Sequence, residues 1–282
     1  MRVLVLGASG MLGNSMVRVL SEKADWEVFG TVRSGEAARF FSPKIAERLV
    51  VGVDVENHDT LIRLFAQVRP NVVVNCIGLV KQLAEADDPL LAIPINSLLP
   101  HRLAGFSELV GARLVHISTD CVFSGKKGAY RESDPSDAED LYGKSKFLGE
   151  VDYPHAITLR TSIIGHELQG GRSLIGWFLS QERQCKGFVK AIYSGLPTVV
   201  LAQLVRDVII PRTELSGLYH VASSPISKYD LLCLVAEIYG KHIQIVPDSS
   251  LVIDRSLNAN RFREATGYVA PDWPELIKAM HS

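Results

Sequence analysis

The sequence predicts an α/β chain: a doubly wound parallel sheet followed by a smaller C-terminal lobe. Three observations carry this. Short apolar runs alternate with amphipathic helical stripes through the first 160 residues. The first run, Arg2–Leu6, feeds directly into a glycine-rich turn. After Arg160 the alternation loosens into a glycine-rich loop and separate helical stretches.

Arg2–Leu6 has the apolar character of a strand buried on both faces of a parallel sheet. Leu12, Met16, Val19 and Leu20 then share one helical face. Strands two and three are read at Glu27–Thr31 and Leu49–Val53. Leu61, Leu64, Phe65 and Val68 fall at i, i+3, i+4 and i+7, a helical stripe with Asp59 and Thr60 in its N-cap region and Arg69-Pro70 at its end. Strand four is read at Asn71–Cys76, a helix around Leu98–Val110, strand five at Arg113–Ile117, a helix over Tyr142–Val151 and strand six at Ile157–Arg160.

Beyond strand six the sequence suggests a loop at His166–Arg172, a helix at Ser173–Ser180 and a turn at Pro197. Further helical stretches are expected at Leu201–Ile210, Lys228–Tyr239 and Pro274–Met280. The expected division is a first domain at residues 1–165 and a second lobe mainly at 166–282, with some segments returning to the sheet.

Composition narrows the partners. With 282 residues, 47% hydrophobic and 22% charged, the chain reads as globular and long enough for two lobes. A net charge of −1 gives no overall field for nucleic acid or an anionic membrane, so neither is expected as a partner. No apolar run approaches the roughly 18 residues of a membrane span, and the N-terminal run is too short for the core of a signal peptide. The expectation is a cytoplasmic protein. Cys76, Cys121, Cys185 and Cys233 are scattered without a C-x-x-C pair, so no metal site is expected.

The turn after the first strand reads Gly7-Ala8-Ser9-Gly10-Met11-Leu12-Gly13, a G-x-x-G-x-x-G pattern. Glycines let the backbone turn sharply and approach a pyrophosphate, whose charge rests on the N-terminus of the following helix. Between a buried strand and an amphipathic helix, this predicts dinucleotide binding by Gly7, Ser9, Gly10, Met11, Leu12 and Gly13. An acid at the end of strand two would bond the ribose of NAD, but Gly30-Thr31-Val32-Arg33-Ser34 stands there. Arg33 and Ser34 suit the extra phosphate of NADP, so NADP(H) is the expected cofactor and NAD(H) the alternative. Asp54 and Val55, after strand three, are placed to meet the adenine, and the backbone at Cys76, Ile77 and Gly78 passes close to the cofactor.

Catalytic chemistry is expected from Ser118-Thr119-Asp120 after strand five and from Tyr142-Gly143-Lys144-Ser145-Lys146. Tyr142 and Lys146 stand at i and i+4, on one helical face. An unperturbed phenol titrates near pH 10. The sequence suggests that the Lys146 ammonium and an oxidised nicotinamide both lower that value. Tyr142 would then exchange a proton with a substrate oxygen while Thr119, seconded by Ser118, holds that oxygen.

These motifs together resemble the extended short-chain dehydrogenase/reductase superfamily, and within it the dTDP-4-dehydrorhamnose reductase-like group. The resemblance runs over essentially the whole chain. It rests on Gly7–Gly13, Asn96, the run Ser118–Gly125, Tyr130-x-Glu132, Tyr142–Lys146 with Gly149-Glu150, and Leu159–Ser162. Gly217–His220 and Arg255–Asn258 extend it towards the C-terminus.

The resemblance implies that Thr119, Tyr142 and Lys146 are catalytic and that Asn96 supports proton relay. It implies NAD(P)H-dependent reduction of a nucleoside-diphosphate-linked 4-keto-6-deoxy sugar, in deoxysugar or surface-polysaccharide synthesis, with the C-terminal lobe holding the substrate. It also implies a homodimer. The alternatives on the same fold are a nucleotide-sugar 4-epimerase or 4,6-dehydratase, and a non-catalytic NADP-binding regulatory subunit.

The chain departs from the group in places that bear on the sugar. Cys121 replaces the tyrosine that follows S-T-D in the rhamnose enzymes and the second carboxylate of the dehydratases. Asp137–Leu141 replaces the Pro-x-Asn before the catalytic tyrosine, and Ile163–His166 an aromatic stretch. Substrate contacts are expected from Ser118, Asp120, Cys121, His166, Arg172 and Arg255. His116 is expected to be a hydrogen-bonded core histidine, and Trp177 and Phe178 packing residues on an apolar helix face.

Overall fold

The computed structural model describes residues 1–79 and 87–281. Its centre is a seven-stranded sheet formed by β1 (Arg2–Leu6), β2 (Glu27–Val32), β3 (Leu49–Val51), β4 (Val72–Asn75), β5 (Arg113–Thr119), β6 (Ala156–Thr161) and a later strand, Gly217–His220. Every neighbouring pair is parallel, and the order is β3-β2-β1-β4-β5-β6 with Gly217–His220 beyond β6. The doubly wound sheet expected from the sequence is therefore present, with one more strand than the six apolar runs indicated.

Burial on both faces explains the apolar runs. Val3 and Val5 of β1 face one core and Leu4 and Leu6 the other, because successive strand residues point to opposite sides. On the first face lie Met16, Val17 and Leu20 of α1 (Met11–Leu20). On the second lie Leu61, Leu64 and Phe65 of α2 (His58–Val68), with Leu99 and Leu103 beside them. Helix α2 starts one turn earlier than its stripe: the Asn57 side chain, not Asp59 or Thr60, caps it by accepting from the Thr60 N–H at 3.1 Å. Arg69 ends it in a left-handed conformation, φ 47°.

The helix expected around Leu98–Val110 begins earlier and is not uniform. Pro89–Ala92 forms an α-helical turn (α3), Ile93–Leu98 widens into a π-helical segment, and Leu99–Leu109 resumes as α4. Helix α5 follows at Leu141–Leu148, shorter than the expected span to Val151.

The C-terminal residues share the core of the sheet. Helix α6 (Leu174–Ser180) buries Ile175 and Phe178. Trp177, expected to pack with them, is 37% exposed. Helix α7 (Thr198–Leu204) continues into a π segment at Val205–Ile209 and packs along α1, where Ser15 donates to the Thr198 hydroxyl at 2.9 Å. Helices α8 (Lys228–Ile238), α9 (Asn260–Thr266) and α10 (Trp273–His281) complete this side. Leu231, Phe262 and Leu276 join the same apolar cluster as Val3 and Val5.

Between these helices run short strand pairs that no apolar periodicity announced. Gln184–Phe188 pairs with Gln244–Asp248, and Ala191–Tyr193 lies between Ile226–Ser227 and Ile253–Asp254. Among the described residues, no helix is long and apolar enough to cross a membrane.

Candidate active site

The glycine turn is shaped by contacts that only glycine permits. Gly7 has φ +83°, its N–H donates to the Thr31 hydroxyl at 3.1 Å, and the Ala8 N–H donates to the Thr31 carbonyl at 2.9 Å. A Cβ on Gly13 would lie 1.9 Å from the Gly7 carbonyl oxygen, so the third glycine lets α1 press against the turn. Gly10, the N-cap of α1, offers no side-chain cap to the first-turn N–H groups. A diphosphate fits this cradle by the chemistry of helix N-termini.

At the end of β2, Arg33 is exposed. The Ser34 hydroxyl accepts from the Glu36 N–H at 3.3 Å and caps a short 3-10 turn, Gly35–Phe40. Asp54 is exposed and closes its own turn by accepting from the Glu56 N–H at 3.0 Å, while Val55 packs against the second core. Beyond β4, Cys76, Ile77 and Gly78 run beside Gly7 and Lys146: a Cβ on Gly7 would meet Ile77 at 2.9 Å, and one on Gly78 would meet the Lys146 Nζ at 3.6 Å. The Cys76 thiol is pushed up to about 12 by burial, so it stays protonated.

Asn96 sits in the π segment and is 1% exposed. Its side-chain oxygen accepts from the Leu79 N–H at 3.0 Å, and its nitrogen donates to the Ser145 hydroxyl at 3.1 Å. Ser145 in turn donates to the Tyr142 carbonyl at 3.0 Å. Asn96 thus joins the end of β4 to α5, the helix carrying Tyr142 and Lys146. Gly149 makes that approach close, since a Cβ there would lie 1.9 Å from the Asn96 carbonyl oxygen.

Helix α5 is aimed by its N-terminus. Asp140 caps it, its carboxylate accepting from the Gly143 N–H at 2.7 Å. A Cβ on Gly143 would lie 2.2 Å from the Cys121 carbonyl oxygen, so glycine brings Tyr142 against the end of β5. There the Thr119 hydroxyl donates to the Asp120 carboxylate at 3.2 Å, accepts from the Cys121 N–H at 3.1 Å and interacts with the Tyr142 phenol.

The electrostatics correct one expectation. Burial pushes the Tyr142 phenol up, Cys121 and Asp120 beside it add to this, and Thr119 opposes it. Lys146 was expected to lower the phenol, but its ammonium is turned to the Ile117 carbonyl, to which it donates at 2.9 Å. Lys146 is itself lowered to about 8 by burial, against the pull of Glu150. In the protein alone, desolvation outweighs charge at both residues.

The expected substrate residues divide. Asp120 and Cys121 lie beside Tyr142, and Arg255 reaches them from the C-terminal side, donating to the Phe123 carbonyl at 2.7 Å and to the Cys121 Sγ at 3.8 Å. The Ser118 hydroxyl points elsewhere: it donates to Glu150 at 2.6 Å, so it does not second Thr119. His166 is exposed and bonded to the Tyr239 hydroxyl at 2.9 Å; burial and His281 of α10 lower its pKa. Arg172 is exposed on the same loop. The structure thus gathers Thr119, Asp120, Cys121, Tyr142 and Arg255, with Asn96 and Lys146 behind them, and gives His166 other partners. His116 is fully buried with its Nδ1 paired to Asn75 at 3.1 Å, but its Nε2 has no hydrogen-bond partner, so it is only half satisfied.

Sequence reasoning passed over a buried network beside this cluster. Glu150 and Arg160 form an ion pair at 2.6 Å with side chains 9% and 3% exposed. Arg160 also contacts the His220 Nε2 at 3.3 Å, and the His220 Nδ1 bonds the Tyr130 carbonyl at 3.0 Å. Burial, then the Arg160 charge, lower His220 to about 3, so it stays neutral. Glu150 and Arg160 were legible only as pieces of a family pattern, because no periodicity reveals a pair meeting across a helix end and a strand.

Comparison with known proteins places the chain in a family. Residues 1–280 match the model of the RmlD substrate binding domain family. The chain is 27% identical to the dTDP-4-dehydrorhamnose reductase of Aggregatibacter actinomycetemcomitans, covering 98% of this chain and 97% of that one. It is 31% identical to the spore coat polysaccharide biosynthesis protein SpsK of Bacillus subtilis, covering 87% and 82%. It is also 25% identical to the methionine adenosyltransferase 2 subunit beta of Xenopus laevis, covering 88% and 75%. Among solved structures, a dTDP-4-dehydrorhamnose reductase from Bacillus anthracis in complex with NADP superposes with a TM-score of 0.79 at 23% identity, covering 99% and 98%. The chain belongs to the RmlD substrate binding domain family.

Proposed function

We propose that the protein is an NADPH-dependent reductase of a nucleoside-diphosphate-linked 4-keto-6-deoxy sugar, acting in deoxysugar or surface-polysaccharide synthesis. The observation that carries this reading is the meeting of Thr119, Tyr142 and Lys146 at the end of β5, beside a glycine cradle shaped for a diphosphate. The relatives named as dTDP-4-dehydrorhamnose reductase and as a polysaccharide biosynthesis protein support it.

In this reading Gly7–Gly13 and the N-terminus of α1 hold the pyrophosphate, and Arg33 with Ser34 holds the adenosine phosphate that distinguishes NADP from NAD. Asp54 and Val55 border the adenine, and Cys76, Ile77 and Gly78 pass under the nicotinamide half. The cofactor supplies the hydride. Tyr142 supplies the proton: a phenol raised by burial stays protonated at neutral pH, the form that a reduction needs as charge develops on the keto oxygen. Thr119 orients that oxygen, Lys146 places positive charge near it, and Asn96 holds the helix that carries both groups.

Asp120, Cys121 and Arg255 border the sugar in this reading, and Arg172 lies on the loop through which the nucleotide would extend. A cytoplasmic setting and a homodimer belong to the same reading. Exposed Leu98, Phe147 and Leu148, on the packed π segment and α5, support a pairing surface.

The second reading, a binding subunit without turnover, is favoured by the likeness to the methionine adenosyltransferase beta subunit. The experiment assays NADPH oxidation with a panel of nucleoside-diphosphate 4-keto sugars, on wild type and Tyr142→Phe. Turnover that falls by about 10²–10⁴ on loss of the phenol is expected for a general acid, at a roughly unchanged Kd for NADPH. A wild type that binds NADPH and reduces nothing in the panel would replace the reductase with the binding subunit.

A further inference from the structure

Three consecutive residues of β5 hold three positions along one helix face. The Ile117 carbonyl accepts from Lys146, the Ser118 hydroxyl donates to Glu150, and Thr119 meets Tyr142. Tyr142, Lys146 and Glu150 follow at i, i+4 and i+8, the last just past the end of α5. Gly149 lets this end lie against Asn96, and the Glu150 side chain that follows is 9% exposed. There the Glu150 carboxylate is gripped by Arg160 through Nε at 2.7 Å and Nη2 at 2.6 Å.

We propose that Glu150 is a positioning residue of the reaction, fixing the Arg160-clamped end of α5 to Ser118 and keeping Lys146 a charged ammonium on the Ile117 carbonyl. The proposal rests on the reductase reading for its consequence in catalysis, but not for the link between Glu150 and Lys146.

The groups around Lys146 single out Glu150. Cys76 faces it from the end of β4 and is held protonated by burial. His116 faces it from β5, is fully buried and stays neutral, its pKa well below the ordinary histidine value. Tyr142, one turn earlier on α5, is a protonated phenol. Glu150 is therefore the carboxylate that offsets the cost of burying an ammonium here. Because Arg160 already pairs with it, its effect on Lys146 falls at the low end of the usual range for an opposite charge, about one pH unit. Lys146 has a folded pKa below that of a free lysine, and removing the carboxylate lowers it further.

The test titrates the lysine 13Cε signals of the full chain by NMR, with the Lys146 signal identified by its loss in Lys146→Arg. Wild type is compared with Glu150→Gln, which keeps the size and removes the charge, and with Glu150→Asp, which keeps the charge. The expected result is a Lys146 midpoint about one pH unit lower in Glu150→Gln and near wild type in Glu150→Asp. The alkaline limb of keto-sugar reduction should move down by the same interval in Glu150→Gln.

If Glu150→Gln leaves Arg160 buried without a partner and does not fold, the double variant Glu150→Gln, Arg160→Gln is compared with Arg160→Gln, from which it differs only in the carboxylate charge, and its Lys146 midpoint should again be the lower. A Lys146 midpoint unchanged by loss of the carboxylate overturns the proposal. An absence of reduction by the wild type sinks the reductase reading alone, since the titration still decides whether Glu150 holds the Lys146 charge.

Discussion

At Gly13 an added Cβ would sit 1.9 Å from the Gly7 carbonyl oxygen, whereas at Gly170 it would meet nothing within 4 Å and at Gly171 nothing nearer than 3.7 Å. The turn at residues 7–13 and the loop at 166–172 are both glycine-rich and both follow a strand, the first β1 of the main sheet and the second Ile163–Ile164, which pairs with Leu196–Pro197. In the first, glycine is demanded by backbone packed against backbone. In the second, only Gly170, at φ +96°, has a conformational reason, and neither glycine is boxed in. Glycine content alone thus says that a chain turns. The space around each Cα says whether the turn is a rigid cradle.

The largest expected effect follows from filling the rigid turn. In Gly13→Ala the new carbon meets Gly7 carbonyl and Ala8 Cα atoms, all backbone, so no side chain can swing aside. Overpacking of this kind costs about 1–3 kcal/mol, and here the distortion falls on the atoms that would hold the pyrophosphate. Affinity for NADPH should fall by roughly a hundredfold or more, at the upper end of that range. Fluorescence titration with NADPH checks it, and wild-type affinity in Gly13→Ala would break the comparison at its strongest point.

A smaller effect sharpens the comparison at the far end of the same cradle. Arg33 is an exposed guanidinium, with Ser34 already capping the next turn. A charge-assisted hydrogen bond to a phosphate contributes about 1.5–3 kcal/mol. Arg33→Ala should therefore weaken NADPH binding by roughly ten- to hundredfold and leave NADH nearly unchanged. Equal affinity of the wild type for both cofactors would remove Arg33 from the site.

What was legible in the sequence follows the same division. β1 and β4 were read from apolar runs because both their faces are buried, while β2, the partly buried β3, β5 and β6 were read from runs in which apolar residues still dominate around Thr31, His116 and Thr158. The turn at Gly7, the Tyr142–Lys146 pair and the missing acid at Arg33 could be read because each depends on residues close in sequence. The strand at Gly217–His220 was missed because four residues, two half-buried and two buried, are too few to carry a period. Ser118 was given to the substrate because strand alternation does not show that Glu150, 32 residues away, accepts its hydroxyl. The bond of His166 to Tyr239, 73 residues on, is likewise visible only in the fold. The ordering of effects on Tyr142 was also out of reach, since burial is a property of the packed molecule.

The smallest effect tests the open loop. Gly171 has no positive φ to preserve, and a Cβ there would make ordinary contact with Gly176 at 3.7 Å. Replacing such a glycine by alanine removes freedom from the unfolded chain and stabilises a protein by about 0.4–1 kcal/mol when the native backbone accepts it. Gly171→Ala should therefore unfold at the same or a slightly higher denaturant concentration than wild type, and its affinity for NADPH should be unchanged. The contrast with Gly13→Ala is the informative quantity, because the two substitutions add the same methyl group to glycine-rich turns. A loss of stability greater than about 1 kcal/mol in Gly171→Ala would mean that this loop is packed as tightly as the first. A drop in NADPH affinity with stability intact would instead bring residues 166–172 into the cofactor site, where the contacts of His166 with Tyr239 and His281 do not place them.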